Sequence, residues 1–181
     1  MGTGALFTPS DLSTIERASV LAEAMTGEYF SLAPDEWKRN PYGIFTRKEV
    51  ERPLDGETIF AQVVRLRTGR GQSRDRNQGD SFGIILQDPN ILRALLRSTL
   101  HDLWTLVLFI LTHELIHIVR FQRFAVDFHA PEVERDREEK LVHAITREIL
   151  AGVTNTDDLL ELYQLRVDGT PEGSVPIQGV N

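Results

Sequence analysis

The chain has no cysteine, which excludes disulfides and every thiolate metal site and leaves its redox compartment open. It has no surplus of positive charge either. Twenty Lys and Arg stand against 27 Asp and Glu, a formal net charge of -7, which argues against a general nucleic-acid binder. No apolar run is long enough for a membrane span: the longest, Leu103 to Thr112, is interrupted by His113 and Glu114 at about half the roughly 20 residues a span needs. The reading is therefore a buried core helix. Met1 to Pro9 lacks a basic n-region and an apolar h-region, so no secretory signal is visible and a cytoplasmic location is expected. No internal repeat is present.

What is present is the balance of a globular protein, 41% apolar and 26% charged, in a chain long enough to bury a sizeable core. One domain is expected over residues 1–166. Residues 167–181 are expected to be a flexible tail, since Gly169, Pro171, Gly173, Pro176 and Gly179 punctuate it and few apolar anchors accompany them.

The most specific signal is His113-Glu114-Leu115-Ile116-His117, an H-E-x-x-H motif. On a helix, residues four apart differ by roughly 40° around the axis and about 6 Å along it, so both imidazoles can converge on one metal ion. Ile110-Leu111-Thr112 before the motif and Ile118-Val119 after it are uncharged and mostly apolar, as a buried active-site helix requires. A buried helix with hydrogen-bonded histidines is the blander alternative. It must also bury Glu114, and an unpaired buried carboxylate is costly.

From Ile110 to Val119, with His113, Glu114 and His117 at the motif positions, the chain resembles the zincin superfamily of metallopeptidases. The resemblance implies a zinc ion held by His113 and His117, Glu114 as general base, and a third ligand from downstream. Metzincins place Gly and His where this chain has Arg120 and Arg123, so that subgroup does not fit. Gluzincins take a Glu from a later helix. Pro131 to His143 begins at a proline, carries acids in its first turns and then turns apolar, which reads as a helix start. Within it Glu138 shares a face with Val142, Ile145 and Ile149, whereas Glu139 shares one with His143 and Thr146. Glu139 is the preferred ligand and Glu138 the alternative, with His129 and His143 as further candidates. His143, one turn beyond Glu139, is also placed to orient a zinc-bound histidine or to assist catalysis. Arg120 and a tyrosine are other possible donors to an oxyanion.

If the resemblance holds, the reaction is hydrolysis of a peptide or protein substrate: zinc acidifies a water and polarises the carbonyl, while Glu114 moves the proton. The competing readings are a zincin-fold metal-binding protein with a regulatory role and no turnover, and a metal-free helical domain with a chance motif.

The remaining pattern is α+β. Thr8 to Asp11 caps a helix over Leu12 to Met25 with Gly27 as its stop, and Ser31 to Pro53 reads as loop with short extended pieces, Trp37, Tyr42 and Phe45 covering the core. Thr58 to Val64 and Ser81 to Leu86 are β-rich runs expected to pair antiparallel. The loop between them carries an arginine-rich stretch from Arg65 to Arg76, read as solvated. As in zincins, Phe82 to Leu86 is a candidate edge strand for an extended substrate. A helical pattern starts at Asn90 and runs to Phe124 with a break near Ser98, the ligand-bearing helix spans Pro131 to Leu150, and Thr156 to Leu165 is a last short helix. The expected architecture is thus zincin-like, a small antiparallel sheet packed on an active-site helix and a following ligand-bearing helix.

Overall fold

The computed structural model describes residues 5–50, 59–66, 81–97, 102–123, 125, 127, 129 and 131–159. The first helix, α1 (Pro9–Tyr29), starts where Thr8 and Asp11 exchange hydrogen bonds: the Asp11 N–H donates to Thr8 Oγ1, and the Thr8 N–H donates to Asp11 Oδ2. That reciprocal cap, with Pro9 already holding a helical φ, satisfies backbone donors that the first turn leaves unpaired. Ile15, Ala18 and Ala22 form its buried stripe. Gly27 does not stop it; the helix continues to Tyr29, because its last turn still packs on the chain that follows.

The segment read as loop contains a one-turn helix α2 (Glu36–Arg39), strand β1 (Tyr42–Phe45) and a 3-10 turn at Arg47–Glu49. Strands β2 (Ala61–Leu66) and β3 (Ser81–Leu86) pair antiparallel, Val63 opposite Ile84. β1 then adds to the other side of β3 in parallel, Ile44 beside Ile84. The sheet is therefore mixed, in the order β1-β3-β2, where an antiparallel one was expected. β3 is its central strand. Its backbone groups face partners on both sides, so Phe82 to Leu86 cannot accept a substrate by strand addition. Its burial follows, with every residue from Phe82 to Leu86 buried, as a central strand covered on both faces requires.

Helix α3 (Asp88–Arg97) leaves directly from β3, and α4 (Leu103–Gln122) is capped by the Asp102 carboxylate, which accepts the Thr105 N–H at 2.8 Å; the expected break near Ser98 lies outside the described residues. α4 is long and apolar enough to cross a membrane by length and composition, but 78% of its apolar 18-residue window is buried inside the fold. It packs chiefly on α1, with the sheet and α5 (Glu132–Leu150) against other sides. Its unbroken burial from Leu106 to Val119 is the reason it is apolar all round rather than striped.

α5 ends near Gly152, at φ 85°, a backbone conformation open to glycine. Residues 156–159 begin the expected last helix; its remainder, the tail and the arginine-rich stretch beyond Leu66 lie outside the described residues. The described architecture is α+β, helices around a three-stranded mixed sheet.

Candidate metal centre

The buried run of α4 carries His113, Glu114 and His117 into the interior with 1%, 5% and 7% of their surfaces exposed. A helix of this kind places the two imidazoles on one face, and they meet there: His113 Nε2 and His117 Nε2 are 3.2 Å apart. α5 runs against that face and brings Glu139 to both. Its Oε1 lies 3.1 Å from His117 Nε2 and its Oε2 3.4 Å from His113 Nε2.

These separations test the fit of a metal. Four ligands around a tetrahedral zinc, each about 2.0–2.1 Å from the ion, are roughly 3.3–3.4 Å from one another. The two imidazole nitrogens are about that far apart, and each lies at a similar distance from one oxygen of the Glu139 carboxylate, Oε1 for His117 and Oε2 for His113. Hydrogen bonding accounts for it less well. An imidazole N–H points along a single direction, so the two rings cannot each donate to Glu139 and also to one another. The donor set, two imidazoles and a carboxylate, is one that zinc accepts, and that other divalent ions accept too.

The rings are held by a row of aromatics at four-residue spacing along α4. Phe109 stacks on His113 at 6.4 Å between centroids, and Phe121 stacks on His117 at 5.9 Å. Phe121 in turn stacks on Phe82 of β3 at 6.0 Å, so the central strand reaches the site through that column. The sequence carried this signal as Phe-x3-His-x3-His-x3-Phe, which an i,i+4 count would have found.

His143 enters from the next turn of α5. Its Nε2 is 3.9 Å from Glu139 Oε2, and its ring centroid is 5.0 Å from that of His113. His113, Glu139 and His143 form a second possible ligand grouping, with donor atoms within 4.8 Å of one another. The grouping through His117 is the tighter one, and its distances match a small ion better. His143 stands at the edge of the site, as a further ligand or as a group facing what the ion binds.

Glu138, the alternative ligand, points elsewhere. Its carboxylate accepts from two Arg120 donors, Nε at 2.5 Å and Nη2 at 2.8 Å. That side of the Arg120 guanidinium is thus turned to Glu138. His129 is exposed in the loop between α4 and α5, its backbone N–H donating to Asp127, and it does not belong to the converging group.

The electrostatics call for positive charge. Burial pushes the His113 imidazole below its ordinary range, and Glu139 only partly offsets this. Burial opposes a charge on His117 as well, but the charges of Glu139, Glu114 and Glu138 outweigh it and raise that pKa. Burial alone would raise Glu139; the adjacent His117 and His113 reverse the effect and hold its carboxyl well below the usual carboxylate range. Glu138 is paired with Arg120, while the Glu114 and Glu139 carboxylates have the imidazoles beside them, surroundings that suit a dication.

No family model, curated protein or solved structure matches the chain.

Proposed function

We propose that the chain is a zinc-dependent metallopeptidase of the gluzincin-like kind, with His113, His117 and Glu139 as the metal ligands. The observation that carries this reading is the convergence of two buried imidazole nitrogens and one carboxylate at 3.1 to 3.4 Å. Zinc held by these residues would supply Lewis acidity to a bound water and to a substrate carbonyl. The chain's own residues do the rest. Glu114 sits next to His113 on the same helix, close enough for its charge to bear on His117, and serves as the base that takes a proton from the attacking water and returns it to the leaving amine. The aromatic column behind the two histidines fixes their ring planes and keeps bulk water from that side. His143 faces the site from α5 and donates a hydrogen bond to the developing oxyanion.

Elemental analysis of the untagged protein tests the ligand set. About one zinc per chain is expected, lost in a His113→Ala, His117→Ala double variant. Glu114→Gln should keep the zinc and lose at least ~100-fold in the cleavage of a peptide library. Zinc without cleavage in the wild type would leave the metal and sink the peptidase.

One observation favours a second reading, a metal-binding protein without turnover. If His143 joins His113, His117 and Glu139, the ion has four protein ligands, and a closed tetrahedral set marks structural sites rather than catalytic ones. His143→Ala separates the two readings. The peptidase reading expects a loss of kcat at nearly unchanged zinc affinity, and the closed-site reading expects the affinity to fall.

A further inference from the structure

Two glutamates sit side by side on α5, and only one of them meets the histidines. A helix that rotates by one residue turns about 100° and advances about 1.5 Å, so a change of phase by one residue would exchange Glu138 for Glu139 in front of α4. The apolar anchors of α5, Val142, Ile145, Ile149 and Leu150, all lie in its second half, beyond the two glutamates. From Glu132 to Leu141 the only buried side chain is Glu138, and the first buried apolar one is Val142. Val133 and Leu141 are 64% and 43% exposed. What holds this half of the helix to α4 is charge, and the strongest element is the bidentate pair of Arg120 with Glu138, whose side chains are only 18% and 8% exposed.

Resting on the reading of His113, His117 and Glu139 as ligands, we propose that Arg120 and Glu138 are a positioning pair that selects which of the two adjacent glutamates faces the metal site. Arg120 lies three residues after His117, within one turn on the same helix, so the fork that captures Glu138 is fixed in phase with the histidines. Its Nε and Nη2 donate to the two oxygens of one carboxylate in a planar bidentate geometry. Engaging Glu138 leaves Glu139, about 100° further round the helix, turned to the imidazoles. A buried ion pair adds little net stability compared with apolar side chains of the same size, and its best-attested use is to specify register. Both glutamates are required, one as the lock and one as the ligand.

The test measures zinc affinity by competition with a chromophoric chelator for wild type, Glu138→Gln and Arg120→Gln, with circular dichroism reporting helix content. Each single variant should bind zinc about 10- to 100-fold more weakly with helix content unchanged. Should the single variants fold poorly, the Arg120→Met, Glu138→Met double variant replaces the charges by packing, and its affinity is expected to stay at least tenfold below wild type. Affinity within about twofold of wild type in any folded variant overturns the proposal.

A second readout works without metal. The absence of cysteine allows spin labels on Glu16→Cys and Asp136→Cys, two exposed positions on α1 and α5. In the metal-free chain one narrow distance is expected with the pair intact and a shifted or broadened one in Glu138→Gln; identical distributions would overturn the pair's role. A wild type that binds no zinc would sink the ligand reading instead, and the label distances would still judge the pair.

Discussion

At the residue scale, the site shows how one environment drives neighbouring histidines apart. His117 sits among carboxylates and is raised, while His143, which meets burial and the His113 charge with less compensation from Glu139, is pushed down to about 4 from 6.5. The two have opposite consequences for stability. An unfolded His143 takes up a proton near 6.5 that the folded one refuses until about 4, so the unfolded state binds more protons in that window and stability is lost as pH falls through it. His117, raised, contributes below its unfolded pKa and loses that contribution as pH rises through its folded one. Urea denaturation of the metal-free chain between pH 6.5 and 4 should therefore show a shallower decline with acid in His143→Gln than in wild type. An equal slope in both would remove His143 from the buried cluster.

At the element scale, the fold depends on a few joints between secondary structures. Asp88, 1% exposed at the start of α3, accepts the Phe7 N–H at 3.2 Å and the Arg47 N–H at 3.0 Å, and so ties the lead-in to α1 and the turn after β1 to one carboxylate. Asp88→Ala leaves two backbone donors without their partner and should cost about 2–4 kcal/mol, read as a lower urea midpoint at unchanged slope. The α1 and α5 helices are joined in the same manner at the surface, where the Tyr29 hydroxyl donates to Glu148, and Tyr42 on β1 donates to Glu23 on α1 at 2.6 Å. Burial and the Glu23 carboxylate both raise the Tyr42 phenol, so it stays a donor throughout the physiological range.

At the scale of the whole molecule, the proposed ligand set, drawn from α4 and α5, would couple metal binding to the folded state. The unfolded chain holds the four-residue histidine pair but not Glu139 beside it, so an ion held by the proposed ligands would prefer the folded chain. With free zinc at a hundred times its dissociation constant, about 2.7 kcal/mol is added, and Tm should rise by roughly 5–10 °C for a chain of this size. Calorimetry with zinc and then with a chelator checks this. The His113→Ala, His117→Ala variant should show no difference between the two conditions.

What could be read from the sequence by itself was local. The H-E-x-x-H spacing, the helix starts at Thr8 and Pro131 and the antiparallel pairing of the two β-rich runs all follow from periodicity, capping and propensity within short windows. Helical phase also leaned toward Glu139, because it lies on the polar ridge with His143. Tertiary structure decided what depended on distant partners. β1 is four residues in a proline-marked stretch and becomes a strand only because β3 offers it a free side, which turns an expected edge strand into a central one. The fate of Glu138 depended on Arg120, 18 residues away, and no window around either residue contains that pairing. A carboxylate's role is set by the charge nearest to it in space, and for Glu138 and Glu139 those charges belong to another helix.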